Sequence, residues 1–168
     1  MLSYGFPPIV CSGAKVLILG SLPGRLSLQR SEYYANSQNA FWRIVAAHQR
    51  GLPEDYAQRV ARLAECGIAL WDVLAAATRS GSLDADIADD AIPNNFRAFF
   101  HAYPGIRLIA FNGATAARLY LRNVVPALTE HQRATEHVVL PSSSAANAGA
   151  RLAEKVERWS IVWKRCRE

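Results

Sequence analysis

The apolar run VLIL, which lies between Lys15 and Gly20, is the strongest indication of fold class in this sequence. The run contains no polar residue and a glycine closes it. A continuous apolar run of this length is typical of a strand that is buried on both faces, as strands of parallel sheets are. The run therefore predicts the first strand of a parallel sheet.

Strands and helices alternate along the rest of the sequence. Further strands are predicted at residues 66–73, 106–111 and 138–140. Apolar residues at helical spacing predict helices at residues 39–49, 54–65, 93–103, 114–121 and 147–165. This order predicts an α/β fold, a three-layer α/β/α sandwich with a four-stranded, mostly parallel sheet. We predict one domain over residues 1–168, with an irregular lead-in at 1–14 and a surface excursion at 78–95.

The net charge of the chain is compatible with a polyanionic partner but does not establish one. The 168 residues include 19 Lys and Arg against 14 Asp and Glu, which gives a net charge of +5. Nearly all of the basic residues are Arg, whose forked guanidinium suits phosphate better than the Lys ammonium does. A small excess of surface arginine is equally compatible with no nucleic-acid partner at all.

Several classes of protein are not supported by the sequence. No apolar run is long enough to span a membrane and the first residues do not resemble a signal peptide, so we expect a cytoplasmic protein without membrane contact. Cys11, Cys66 and Cys166 are too scattered for a disulfide framework or a metal site. The nucleotide-binding patterns GxxxxGK[ST] and GxGxxG and the hydrolase pattern GxSxG are missing. We therefore expect neither a metal nor a nucleotide held by a glycine-rich loop.

A long loop follows the first predicted strand, from Gly20 to Trp42. Gly20, Pro23 and Gly24 mark a turn at the carboxyl end of the strand, where α/β proteins commonly carry ligand-binding loops. Two tyrosines and two asparagines then precede Phe41, which combines flat apolar faces with side-chain amides. Such a loop is suited to hold a planar polar ring.

Other polar residues follow the remaining predicted strands. Trp71 and Asp72 end the second strand, Asn112 ends the third, and the loop PSSSA at 141–145 follows the fourth. The carboxyl ends of parallel strands share one edge of the sheet, so these residues should converge with the Gly20 loop. Small residues in such loops let the backbone approach phosphates closely.

Five segments together resemble the uracil-DNA glycosylase superfamily, and most closely its hypoxanthine (deoxyinosine) DNA glycosylase branch. They are GSLPG (20–24), YYANSQNAFW (33–42), LWDV (70–73), FNG (111–113) and LPSSSAANA (140–148). The resemblance covers about residues 5–165. It implies a monomeric α/β/α enzyme that excises a deaminated base, hypoxanthine above all, from double-stranded or single-stranded DNA without a cofactor.

The resemblance also suggests roles for individual residues. Asn39 matches an asparagine that is important for catalysis in the deoxyinosine branch, and Tyr34 matches an aromatic residue that stacks on the flipped base. Ser21 stands where many relatives have Asp or Asn to place the attacking water, and Leu140 where several branches have His. Both departures are consistent with the deoxyinosine branch and argue against uracil excision. The predicted catalytic residues are Asn39 and Ser21.

The remaining predicted site residues fall into two groups. The residues expected to bind the base are Gly20, Leu22, Tyr34, Phe41, Trp71, Asp72 and Asn112. The residues expected in DNA-binding loops are Pro23, Gly24, Arg25, Pro141, Ser142, Ser143, Ser144 and Ala145. Three alternatives remain open: a uracil or mismatch glycosylase of the same superfamily, a nucleic-acid-binding module without catalysis, and a small-molecule enzyme that uses one of the three serines as nucleophile.

Overall fold

A computed structural model of the chain describes residues 1–81 and 83–168. The described strands are β1 Leu2–Tyr4, β2 Val16–Gly20, β3 Ile68–Asp72, β4 Leu74–Thr78, β5 Ile92–Pro93, β6 Leu108–Asn112 and β7 Glu136–Leu140. The described α-helices are α1 Arg25–Arg30, α2 Phe41–His48, α3 Tyr56–Glu65, α4 Phe96–Ala102, α5 Ala114–Asn123, α6 Glu130–Arg133 and α7 Leu152–Arg167. No helix in these two described ranges is both long and apolar enough to cross a membrane.

The central sheet has four strands in the order β3-β2-β6-β7, and every neighbouring pair is parallel. All residues of β2, β3 and β6 are buried, as their continuous apolar sequences predict. The predicted fold class, an α/β protein with a four-stranded parallel sheet, is confirmed.

Two apolar cores lie on opposite faces of this sheet and make the fold three-layered. One core packs the phenylalanines of α4 and the inner face of α5 against the odd-numbered residues of β2. The other packs α2, α3 and α7 against the even-numbered residues of β2, with Phe41 and Trp159 fully buried between them. Helices therefore cover both faces of the sheet, as the alternation of strands and helices along the sequence predicts.

A second sheet, antiparallel and in the order β1-β4-β5, is an addition to the predicted architecture. Its strands lie in the predicted irregular lead-in and at the edges of the predicted surface excursion. The strand β4 reads LAAAT, and alanine has little intrinsic preference for strands, so the local sequence gives a weak signal. The segment forms a strand because it pairs with β1 and β5, which its own sequence does not indicate.

Candidate active site

The carboxyl ends of the four parallel strands bring the predicted loops to one edge of the sheet. Gly20 at the end of β2 pairs with Asp72 at the end of β3, and Asn112 at the end of β6 pairs with Leu140 at the end of β7. The two loops that the sequence singles out begin at Gly20 and directly after Leu140, and Asp72 and Asn112 end the strands beside them. The site is thus organised by the register of the sheet.

Gly20 allows two polar groups to approach the backbone closely. A Cβ atom at this position would lie 2.5 Å from Asp72 Oδ1 and 2.9 Å from the Tyr34 hydroxyl oxygen. Real side chains do not tolerate such distances, so only glycine leaves room for both oxygens. Gly20 brings a carboxyl group and a phenol to the same point at the end of β2.

Tyr34 is held in a specific position by its ring and its hydroxyl group. Its ring stacks on Phe41 with centroids 4.1 Å apart, and its hydroxyl oxygen accepts a hydrogen bond of 3.0 Å from Asn112 Nδ2. The backbone of Tyr34 is left-handed, with φ of 56°, which is unusual for a bulky residue and is found preferentially at functional sites. Burial and the nearby Asp72 carboxyl raise the pKa of Tyr34, so the phenol keeps its proton.

Asn112 connects the first loop, from Gly20 to Trp42, to the Pro141 loop, residues 141–145, by hydrogen bonds. Its amide nitrogen donates to Ser143 Oγ at 2.8 Å as well as to Tyr34, and its Oδ1 accepts from the Ser143 backbone N–H at 2.8 Å. The Ser143 carbonyl in turn accepts from the Ala40 N–H at 2.8 Å. Both donors of the Asn112 amide are therefore used within the protein, so Asn112 positions the loops rather than presenting a free amide to a ligand.

Asn39 presents a donor group at a fixed place. Its Oδ1 accepts from the Phe41 N–H at 2.9 Å, just where α2 begins. Its Nδ2 has no hydrogen-bond partner among the residues that the structure describes. The side chain is half-buried, and the neighbouring Ala40 is tied to Ser143. The carboxamide is thus oriented through its oxygen, with its nitrogen available to a ligand.

Asp72 carries a carboxyl group that is 4% exposed, and its Oδ2 has no hydrogen-bond partner in the described part of the chain. Burial, together with the negative charge of Asp84, raises the pKa of Asp72 to about 7, while the positive charge of Arg79 acts in the opposite direction. Near neutral pH a large fraction of Asp72 is therefore protonated and able to donate a hydrogen bond.

Three of the predicted base-binding residues lie away from the open edge of the site. Phe41 has no exposed surface and lies behind Tyr34. Leu22 and Trp71 belong to the core on the opposite face of the sheet, where the Trp71 ring contacts Phe96. Trp71 and Asp72 are adjacent in a strand and so point to opposite faces. These three residues support the site from within the core.

The predicted DNA-binding loops differ in exposure. Pro23 and Ser143 are buried, and Pro141 is anchored because its carbonyl accepts from Trp159 Nε1 at 2.9 Å. Arg25 and Ala145 are exposed. The residues with intermediate exposure are Gly24, Ser142 and Ser144. The exposed residues of this set lie in two short segments, and the one at residues 142–145 is next to Asn39, since Ser143 accepts from the Ala40 N–H.

The sequence gives no indication of two charged residues at this edge. Arg79 is 6% exposed and its guanidinium donates to the carbonyl oxygens of Leu22, at 3.4 Å, and of Pro23. Asp84 accepts a hydrogen bond of 3.1 Å from Ser21 Oγ. Both residues come from the predicted surface excursion, and contacts over more than 55 positions along the chain leave no local pattern.

A cavity of about 460 Å³ lies elsewhere, beside the amino ends of the strands, and is lined by His48, Cys66, Trp163 and Cys166 among others. It contains none of the predicted site residues. Within residues 1–81 and 83–168, no cluster of three or more His, Cys, Asp or Glu side chains could hold a metal ion. The chemistry of the strand-end site must therefore be argued from its amides, hydroxyls and carboxyls.

Comparison with known proteins gives consistent matches over nearly the whole chain. The sequence profile of the Uracil DNA glycosylase superfamily matches residues 7–163. A Methanosarcina acetivorans protein named hypoxanthine DNA glycosylase is 38% identical over 98% of this chain and 99% of its own length. A Methanosarcina barkeri protein of the same name is 34% identical over 98% of this chain and all of its own.

A solved structure is similar over the full length of both chains. It is the solution NMR structure of a Methanosarcina acetivorans protein described as a candidate uracil DNA glycosylase, with a TM-score of 0.81 and 35% identity.

Proposed function

The chain belongs to the uracil DNA glycosylase superfamily, and from that membership we propose that it is a monofunctional DNA glycosylase that excises hypoxanthine. The proposed substrate is taken from the two relatives named hypoxanthine DNA glycosylase. The observation that carries the proposed chemistry is Asn39, whose fixed carboxamide leaves a donor without a partner in the described structure.

Access to the base requires that the nucleotide leave the duplex. Flipping a base out of the stack costs a few kcal/mol, and the cost is least for a weakly paired base such as hypoxanthine opposite thymine. The half-buried Tyr34 ring, backed by Phe41 and held by Asn112, is positioned to stack on the flipped ring. This stacking supports selection of planar bases in general.

Cleavage of the glycosidic bond leaves negative charge on the departing base and positive charge on the sugar. The Asn39 Nδ2 donor stabilises the charge that develops on the base, because a preoriented donor needs no reorganisation when the charge forms. The keto oxygen and ring nitrogens of hypoxanthine are suitable acceptors for this donor.

We further propose that the protein acts as a monomer in the cytoplasm, on double-stranded DNA that contains a deaminated base. The end of the loop at residues 141–145, where Ala145 is exposed, would enter the stack that the flipped base vacates, and the partly exposed Ser142 and Ser144 would contact phosphates. Uracil is the second candidate base, because the structural relative is described as a candidate uracil DNA glycosylase.

The proposed function is tested by incubating the purified protein with duplexes that each contain one inosine, uracil or undamaged purine, and then cleaving abasic sites with alkali. We expect strand cleavage at inosine and little or none at the undamaged purine. Cleavage at uracil alone would reassign the substrate within the superfamily, and binding without any cleavage would favour the non-catalytic module.

Electrostatic contacts to DNA give a separate prediction. Arg25, Arg30 and Arg43 are exposed; the first two lie within the loop that follows β2, at the two ends of α1, and Arg43 directly follows that loop. If they contact phosphates, each Arg→Ala change should lower the slope of log affinity against log salt by about one. Binding is measured by fluorescence anisotropy at several salt concentrations. Arg133→Ala, which removes an exposed arginine from α6, is the matched control and should leave the slope unchanged.

A further inference from the structure

Asp84 brings a second carboxylate to the site from a segment that is distant along the chain. The Ser21 hydroxyl, which is 6% exposed and directly follows β2, donates to Asp84 Oδ2 at 3.1 Å. The first loop itself has no carboxylate at its turn. The hydrogen bond therefore holds the Asp84 carboxylate beside the turn that follows β2, where no neighbouring residue in the sequence supplies one.

The residues on either side of Asp84 are anchored to the same loop. Arg79 is buried and its guanidinium binds the carbonyl oxygens of Leu22 and Pro23. On the other side, Ile87 forms a bridge with Arg79, and the Ala88 N–H donates to the Thr78 carbonyl at 2.8 Å. The position of Asp84 thus depends on contacts at both ends of the segment and on Ser21.

The charge of Asp84 acts directly on the site. It raises the pKa of both Asp72 and Tyr34, so it lies within electrostatic range of the carboxyl and phenol that meet over Gly20. Partial desolvation raises the pKa of Asp84 itself, while the Ser21 hydrogen bond, Arg79 and Arg118 favour its ionised form. Asp84 nevertheless remains open to solvent. It therefore combines a negative charge with access to water.

We propose that Asp84, held by Ser21, is the carboxylate that stabilises the cationic sugar and accepts a proton from the attacking water. This inference rests on the proposed glycosylase function. In the reaction the C1′–N9 bond breaks and its electron pair leaves with the base. A water oxygen then bonds to C1′ and gives one proton to the Asp84 carboxylate, and solvent protonates the departed base. The products are free hypoxanthine and an abasic site.

The test is the single-turnover rate of excision from an inosine duplex by Asp84→Asn. We expect a loss of about a hundredfold or more, because positioned carboxylates in acid–base roles typically contribute that much. Binding of the uncleaved duplex should be unchanged or tighter, since one negative charge has been removed. Asp89→Asn is the matched control: it removes a carboxylate that is 96% exposed and follows Asp84 in the same segment, and should retain the wild-type rate.

Two further measurements separate a role in the reaction from a structural role. Ser21→Ala should lower the rate by about tenfold, and the double variant should be no slower than Asp84→Asn, because residues that act as a unit are not additive. The fall in wild-type rate at low pH should be absent from the Asp84→Asn profile, and Asp84→Glu should recover part of the activity.

The outcomes separate this inference from the function on which it rests. A folded Asp84→Asn protein that cleaves inosine DNA at the wild-type rate would overturn the role of Asp84 and leave the glycosylase assignment intact. A rate loss equalled by Asp89→Asn would also overturn that role. Failure of the wild-type protein to release any base would overturn both.

Discussion

Asn39→Asp is expected to give a folded protein that releases hypoxanthine at least about a hundredfold more slowly than the wild type, the effect typical of removing a donor to developing negative charge. The aspartate keeps the oxygen that accepts the Phe41 N–H. It removes the amide donor and places a negative charge beside the departing base. Single-turnover excision from an inosine duplex measures the loss.

Two further variants isolate the donor from the structural role of Asn39. Asn39→Ala also loses the acceptor of the Phe41 N–H and should in addition lower stability by about 0.5–1.5 kcal/mol, the typical net contribution of one hydrogen bond. Asn36→Asp is the matched control, since Asn36 is exposed and its oxygen likewise accepts the backbone N–H two residues ahead, from Gln38. Wild-type rates in both Asn39 variants would mean that Asn39 serves only to start α2.

Asp72→Asn is expected to change how stability depends on pH. The pKa of Asp72 in the folded protein is about 7, above its ordinary value of 3.8, so the folded state holds a proton that the unfolded chain releases. The stability that this proton contributes is complete below about pH 4 and is lost as the pH rises through 7. The asparagine variant does not titrate there, so its stability relative to the wild type should rise over this range by up to about 4 kcal/mol.

Urea unfolding of both proteins between pH 4 and pH 8 measures this difference. Asp84 and Arg79 face Asp72, and Tyr33 and Tyr34 lie near it, so these four residues must be unchanged in the comparison. Asp89→Asn removes one exposed charge and should change stability by less than about 1 kcal/mol. A difference between Asp72→Asn and wild type that is flat with pH would show that Asp72 is ionised in the folded protein throughout.

The sequence predicts the central sheet well because burial on both faces leaves a direct signal. The strands predicted from VLIL and from CGIALWDV agree with β2 and β3 to within about two residues at each end. The antiparallel sheet is not predicted, because β4 is rich in alanine and its order depends on pairing with the distant β1. The last helix, predicted from residue 147, begins only at Leu152, which is 41% exposed, and the later turns of the helix reach the core.

The site is predicted in its location but less well in its contacts. The carboxyl ends of parallel strands share an edge, which is why Asp72 and Asn112 can be assigned to it from the sequence. The two-residue period of a strand could also have indicated that Trp71 faces away from Asp72. No sequence pattern indicates that Ser21 contacts Asp84, or that Asn112 uses its whole amide to join two loops.

The left-handed backbone at Tyr34 has a consequence for laboratory evolution. A residue other than glycine, asparagine or aspartate costs about 1–2 kcal/mol in this conformation, so Tyr34→Gly would relax the backbone. The same change would remove the ring that stacks on Phe41 and the hydroxyl that Asn112 binds. Loss of a largely buried aromatic side chain typically costs about 3–5 kcal/mol, which is more than the relaxed backbone returns, so selection for heat resistance and selection for repair should both retain tyrosine at position 34.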